Sequence, residues 1–296
     1  MRQQSAEIHD LGHAAYTGPR TPPSRRFWVI ASNVIAVAWR SRLGVKLPIV
    51  LAAATTVTAA AVMYFLRLRL TEMVRARGAP IPQAEAVVFM AGAFYEFSAF
   101  ILAVIVCCAA IADDLRMGAF QFYFARALRP RDYVAGKLLG LALVVGIPMF
   151  LGPVILAVMR LVYAGSVSEA VQLAPVLPRA MLHGLLGTAA YVLPAAGIGA
   201  WAQKRQPAQA TYAVYFMLIA PAAYGLSIPL GVPWLRVISL PNDLSVLGEA
   251  IFGLDHNPYD PPVWASAVSL AAFSLLGFFA VWRRVARAET AGLTTS

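Results

Sequence analysis

Six long apolar segments limit the folds that this chain can adopt. A membrane-spanning α-helix needs roughly 20 mostly apolar residues, because the hydrocarbon core of a bilayer is about 30 Å thick. Each segment approaches or exceeds that length, and charged residues make up only 13% of the chain, against about 25% in soluble domains. The sequence therefore predicts an all-α integral membrane protein with six transmembrane helices. They run over residues 47–66, 87–112, 133–159, 180–202, 208–230 and 263–282.

A shorter apolar segment, residues 27–39, precedes the six and ends at Arg40. It is too short to cross a bilayer unaided. Trp28 and Trp39 lie near its two ends, and tryptophan side chains collect at the headgroup level of membranes. We therefore expect an interfacial helix over residues 27–46 that lies along the membrane surface.

These elements predict one transmembrane domain over residues 27–296. Residues 1–26 are polar and rich in proline, which predicts a disordered cytoplasmic tail. A charged segment at about 113–131 joins the second span to the third and is expected to form a cytoplasmic helix. The longest connection on the opposite side, at about 231–262, is rich in proline and more acidic than basic.

The distribution of basic residues predicts the orientation of the chain. If both termini are cytoplasmic, most of the 24 Lys and Arg residues fall in cytoplasmic segments, as the positive-inside rule requires. Four arginines between residues 67 and 77 are the exception. Attraction to anionic headgroups explains the net charge of +10 without a nucleic acid partner. We expect a multi-pass protein of the plasma membrane, the inner membrane where a cell has two.

The sequence contains none of the common catalytic motifs. Gly136 and Lys137 are followed by Leu138, so they do not complete a phosphate-binding loop, and there is no H-E-x-x-H or G-x-S-x-G. Cys107 and Cys108 are adjacent and point about 100° apart on a helix, so we interpret both as small apolar residues. We predict a protein that is not an enzyme, with no catalytic residue, metal or cofactor of its own.

One acidic residue and one histidine lie inside predicted spans. Glu96 belongs to the second span and His183 to the fourth. A carboxylate at mid-bilayer costs on the order of 3 kcal/mol, so such a residue is a functional candidate by default. Glu96 is interpreted either as part of a substrate path or as a structural residue that is hydrogen-bonded to a neighbour. For His183 the structural interpretation is favoured.

Residues 113–137 carry most of the information about function. They read DDLRMGAFQFYFARALRPRDYVAGK, and their charges, at about 3 kcal/mol each, exclude the segment from the hydrocarbon. If residues 113–131 are helical, one apolar stripe contains Met117, Phe120, Phe124 and Leu128. This helix either anchors a connection at the membrane surface or binds a soluble partner and transmits its movement to the spans.

The same segment resembles the one that follows the second transmembrane helix in ABC-2-type permeases, the membrane subunits of ATP-driven exporters. Ala125 and Ala127 stand where that family has Ser and Pro, and Pro130 comes three residues late, so the turn departs from the family pattern. The interfacial helix, six spans and large outer connection are also similar. The matching positions are Asp114, Gly118, Tyr123, Phe124, Arg126, Asp132, Tyr133, Gly136 and Lys137.

The resemblance implies a permease subunit that forms a translocation path and is coupled to ATP hydrolysis by a separate cytoplasmic ATPase. ATP and Mg would bind to that ATPase, expected in two copies, and a second permease subunit would complete a homo- or heterodimer. Glu96 is the candidate for the substrate path. The alternative is a membrane scaffold or anchor of an envelope complex that transports nothing. The residues expected to dock the ATPase, on a coupling helix, are Asp114, Arg116, Phe120, Phe124 and Arg126.

Overall fold

Within the part of the chain that the structure describes, six helical segments are long and apolar enough to cross a membrane, which confirms the predicted all-α membrane protein. The computed structural model describes residues 22, 25–40, 43–66, 84–124 and 128–293, and no strand occurs in these ranges. Several helices continue beyond the apolar segments into polar flanks. We number the six spans in chain order: Lys46–Phe65, Ala86–Arg116, Pro130–Val162, Val167–Ala202, Arg205–Leu230 and Val263–Ala288.

Three of the spans contain a π-helical turn. These turns are Ala103–Cys107 in span 2, Ile147–Leu151 in span 3 and Tyr215–Ile219 in span 5. In span 3 the turn includes Pro148, which lacks the N–H of a regular helix. The helices that make up the spans are Ala84–Met90, Gly92–Leu102, Cys108–Arg116, Pro130–Gly146, Gly152–Val162, Val167–Leu173, Val176–Ala202, Arg205–Val214, Ala220–Leu230 and Val263–Leu293, together with Lys46–Phe65.

Shorter helices connect the spans on the two sides of the bundle. The linker helix, Ala119–Phe124, joins spans 2 and 3. The 240s helix, Leu240–Phe252, follows a 3-10 helix, Pro233–Ile238, between spans 5 and 6. Because successive spans run in opposite directions, these two connections lie on opposite sides, which we name the linker side and the 240s side.

The N-terminal helix, Arg26–Arg40, packs lengthwise against the first turns of span 3. A Cβ atom on Gly136 would clash with the carbonyl oxygen of Phe27, and one on Gly140 would stand 2.9 Å from that of Ala31. The two glycines therefore allow the close approach of the helices. The predicted helix over 27–46 is present over Arg26–Arg40, and residues 43–45 are not helical. The position of this helix at a membrane surface stays a prediction.

Span 4 lies at the centre of the bundle and contacts spans 2, 3 and 6. Small residues bring these helices together, since Gly197 packs on Gly277 and Gly199 packs on Cys108. Most of span 4 is buried. Spans 1 and 5 are the most exposed, since only 17% of the most apolar part of each is buried within the protein. Spans 1 and 5 therefore offer the largest free apolar faces to lipid or to another subunit.

Some sequence predictions concern residues outside the described ranges. These are residues 1–21 of the predicted tail, the four arginines between 67 and 77, and Arg126. The backbone of Phe124 is described as part of the linker helix, but its side chain is not. The predictions for these residues stay open.

Candidate functional site at the junction of spans 2 and 3

A buried ion pair joins the end of span 2 to the start of span 3. The Lys137 ammonium donates to Oδ2 of Asp114 at 2.6 Å, and the Tyr133 hydroxyl donates to the same oxygen at 2.5 Å. Asp114 is 7% exposed, Lys137 is 6% exposed and Tyr133 is fully buried. Removing charges from water is costly unless they are paired and hydrogen-bonded, and both conditions are met here. This cluster, the junction triad, therefore fixes the two spans to each other.

Local backbone features place the three side chains together. Span 2 ends at Arg116, and Gly118 adopts a φ of +63°, the left-handed conformation that commonly terminates helices. Span 3 begins at Pro130, after an extended Arg129. Tyr133 and Lys137 are four residues apart on span 3, so they share one face of the helix and both reach Asp114.

Aromatic contacts attach the linker helix to the junction triad. The ring of Phe120 lies 5.0 Å from the ring of Tyr133 in an edge-on arrangement, and the ring of Tyr123 lies 5.5 Å from it. Burial, together with the nearby charge of Asp114, raises the pKa of Tyr123, so its phenol remains neutral. The linker helix is thus packed on the residues that tie the spans, and the last helix also contacts it.

The predicted docking residues whose side chains are described do not form one exposed surface. Asp114 is occupied by the junction triad, and Phe120 is 5% exposed. Arg116 is exposed, with its guanidinium 3.9 Å from the carboxylate of Asp113. Of the docking residues whose side chains are described, only Arg116 is accessible to a partner.

The helix in this segment is shorter than the predicted 113–131. It covers Ala119–Phe124, because the left-handed Gly118 separates it from span 2. Met117 is exposed in the turn before it, and Leu128 lies in non-helical backbone after it. Met117 and Leu128 therefore do not continue an apolar stripe along the linker helix.

Glu96 lines a groove between span 2, span 5 and the 240s helix. The Tyr191 hydroxyl donates to Oε2 of Glu96 at 3.1 Å. The groove has a volume of about 450 Å³, and its polar lining includes Asn242, whose side-chain nitrogen has no partner among the described residues. Glu96 thus combines a hydrogen bond to a neighbouring span with a place on a groove, so both interpretations of this residue remain compatible with its surroundings.

His183 is buried at 2% exposure between spans and the 240s helix. Its ring packs edge-on against Phe89 and Phe252, and Nε2 has no hydrogen-bond partner among the described residues. Gly248 approaches it so closely that a Cβ there would stand 3.0 Å from Nε2. This tight aromatic environment favours the structural interpretation of His183.

A second buried ion pair lies on the 240s side and was not predicted from the sequence. Arg236 is 1% exposed and donates to Asp260 at 2.5 Å and to Ser227 at 2.7 Å. Its guanidinium also lies 4.3 Å from the ring centre of Tyr224. One signal could have revealed it, because Arg236 is the only Lys or Arg in the acidic connection 231–262.

No protein-family model matches the chain, and no curated protein matches it. Among the described residues, no group of three His, Cys, Asp or Glu side chains could hold a metal ion. The motif in residues 113–137 and the geometry of the junction are therefore the basis for proposing a function.

Proposed function

We propose that this chain is the permease subunit of an ATP-driven exporter of the ABC-2 type. It would form the translocation path, and a separate cytoplasmic ATPase would supply the energy. The observation that supports the proposal is the junction triad, which holds a short connecting helix against two spans at once. An attachment of this kind would let a force on the linker helix reach both spans.

The contacts at the junction suggest how force would reach the spans. A push on the linker helix acts on Tyr133 through Phe120 and Tyr123, and the bond between Asp114 and Lys137 makes spans 2 and 3 move together. Packed side chains of this kind transmit displacement because they cannot be compressed.

Span 2 also carries Glu96, eighteen positions before Asp114. At a rise of 1.5 Å per residue, the two residues lie roughly 27 Å apart along the helix. A displacement of span 2 at the junction would therefore change the wall of the groove at Glu96.

The assembly implied by this function has several subunits. The linker side would face the cytoplasm, with the chain in the plasma or inner membrane. Two ATPase copies would bind ATP and Mg beneath the permease, and this chain would bind no cofactor itself. The exposed faces of spans 1 and 5 would contact lipid and a second permease subunit, identical or different.

The proposal is tested by reversing charges on the linker side. Arg116→Glu combined with Arg126→Glu should abolish copurification of the ATPase in mild detergent. Arg116 is exposed, so its charge reversal alone should leave expression and folding intact. The matched control, Arg116→Lys with Arg126→Lys, keeps both charges and should retain the partner.

Two outcomes would count against the exporter. Equal recovery of an ATPase with both variants would remove the docking role of the two arginines. Absence of any copurifying ATPase from the well-folded wild-type chain would favour the scaffold instead.

A further inference from the structure

Three arginines gather around one cavity on the linker side. The arginine cavity, as we name it, has a volume of about 420 Å³ and lies between the end of span 4 and the last helix. None of the residues that line it is acidic. The lining residues are Ala200, Trp201, Gln203, Ala280, Arg283, Arg284 and Arg287.

The two helices that form the cavity bring its polar residues to the end of the membrane-spanning region. Span 4 ends at Ala202, and Gln203 follows in the left-handed conformation with a φ of 58°. On the other wall, the last helix continues to Leu293, beyond the end of span 6 at Ala288. The arginines therefore lie near the level at which both spans reach the headgroups.

The chemistry of the cavity suits a phosphate group. Guanidinium groups bind phosphate oxygens through two parallel hydrogen bonds, and basic pockets between spans are suited to anionic headgroups. Arg283 is exposed and Arg284 is half-buried, so both can reach a ligand at the cavity mouth. Arg287 adds a third positive charge.

Trp201 favours a lipid over a free anion. Its side chain is 75% exposed at the edge of the cavity, and indole rings prefer the boundary between headgroups and acyl chains. The positive-inside rule accounts for basic residues after span 6 but not for their arrangement around a cavity beside an exposed tryptophan. We propose that the arginine cavity binds the headgroup phosphate of an anionic phospholipid. This site does not depend on the exporter assignment.

Thermal denaturation of the purified full chain in detergent tests this site. Phosphatidylglycerol should raise the denaturation temperature, and phosphatidylcholine with the same acyl chains should not. Inorganic phosphate at the same ionic strength should have little effect. An equal shift with inorganic phosphate would identify a free-anion site and overturn the lipid proposal.

Variants locate the site. Arg283→Gln with Arg284→Gln should weaken the apparent affinity for phosphatidylglycerol at least about tenfold, because two of the charges that attract the headgroup are lost. The control is Arg131→Gln, which removes an exposed arginine on the same side outside the cavity.

Equal losses in the cavity and control variants would show that the lipid responds only to overall charge, and no loss in either would place the binding elsewhere. If the Gln pair does not fold, Arg283→Lys with Arg284→Lys preserves charge but not the two-pronged geometry and should still weaken binding. Unchanged affinity in this Lys pair would then contradict the site.

Discussion

The two sides of the bundle handle buried charge in different ways. On the linker side, Oδ2 of Asp114 accepts hydrogen bonds from both Lys137 and Tyr133. On the 240s side, Asp243 is 0% exposed, and neither of its carboxylate oxygens has a hydrogen-bond partner among the described residues. One carboxylate fastens two helices, whereas the other has no ion-pair or hydrogen-bond partner among the described residues.

The carboxyl group of Asp243 is expected to titrate near neutral pH. Burial raises the pKa of Asp243 from its ordinary 3.8 to about 7, although the nearby hydroxyls of Ser269 and Ser266 offset part of the rise. Burial therefore disfavours the ionised form of this carboxyl group. We therefore expect pH to change the stability of the 240s side.

The largest effect is expected from breaking the junction triad at one end. Lys137→Met leaves the buried charge of Asp114 without its partner, which should destabilise the chain by about 3–5 kcal/mol. Adding Asp114→Asn removes that charge and keeps an acceptor for Tyr133, so the double variant should recover much of the loss. Denaturation temperatures in detergent measure both, with Asp113→Asn as a half-exposed control.

A double variant as unstable as the single one would contradict the account of the junction. The loss would then come from the packing of the lysine stem rather than from an uncompensated charge.

A smaller loss is expected where the linker helix packs on the junction. Phe120→Ala removes a buried ring that contacts Tyr133 and should cost about 3 kcal/mol. Met117→Ala, in the exposed turn beside it, should cost little. If the two variants denature at the same temperature, the linker helix is not held by the contact that we describe.

The stability of the chain should fall as pH rises because of Asp243 on the 240s side, whereas a carboxylate that stabilises the folded state has the opposite effect. An unfolded chain releases the Asp243 proton above about pH 4, but the folded chain keeps it to about pH 7, so this residue lowers stability as pH rises through that range. Asp243→Asn should therefore stabilise the chain at pH 8 by roughly 4 kcal/mol, and the gain should fade towards pH 4.

Denaturation temperatures of the wild type and Asp243→Asn over this pH range measure the effect. Ser266→Ala removes one of the hydroxyls that lower the pKa of Asp243, so this variant should strengthen the dependence on pH. A gain that stays constant with pH would mean that Asp243 does not titrate in this range.

The smallest change in stability is expected at Arg116. Its side chain is exposed and 3.9 Å from Asp113, and surface substitutions usually change stability by less than about 0.5 kcal/mol. Arg116→Glu should therefore leave the denaturation temperature nearly unchanged. A large drop would show that Arg116 supports the fold, and its variants could no longer test docking.

Apolar segment length was enough to predict the spans, because the requirement that a helix cross a bilayer is local in sequence. The end of span 2 could also have been predicted, since Gly118 can adopt a left-handed conformation at a helix terminus. The pattern of Met117, Phe120, Phe124 and Leu128 favoured a longer helix instead. The spacing of apolar residues does not show where the chain turns, because one continuous helix and two helices separated by a turn can both keep these residues together.

The tertiary contacts could not be predicted from the sequence. Asp114 and Lys137 are separated by a turn and a helix, so their pairing follows from the packing of spans 2 and 3. Arg236 and Asp243 belong to a connection that composition alone describes as an acidic outer loop. Their burial depends on the packing of the 240s helix and its preceding segment against spans 5 and 6, which no single segment encodes.

The central claim, that the linker side binds an ATPase, is tested most directly by cross-linking in native membranes. A photo-reactive residue at position 116 should yield an adduct whose mass spectrum identifies a soluble ATPase with a phosphate-binding loop. The same residue at position 167, where Val167 is 82% exposed on the 240s side, should not. Absence of the ATPase adduct from position 116, or equal adducts from both positions, would contradict the account.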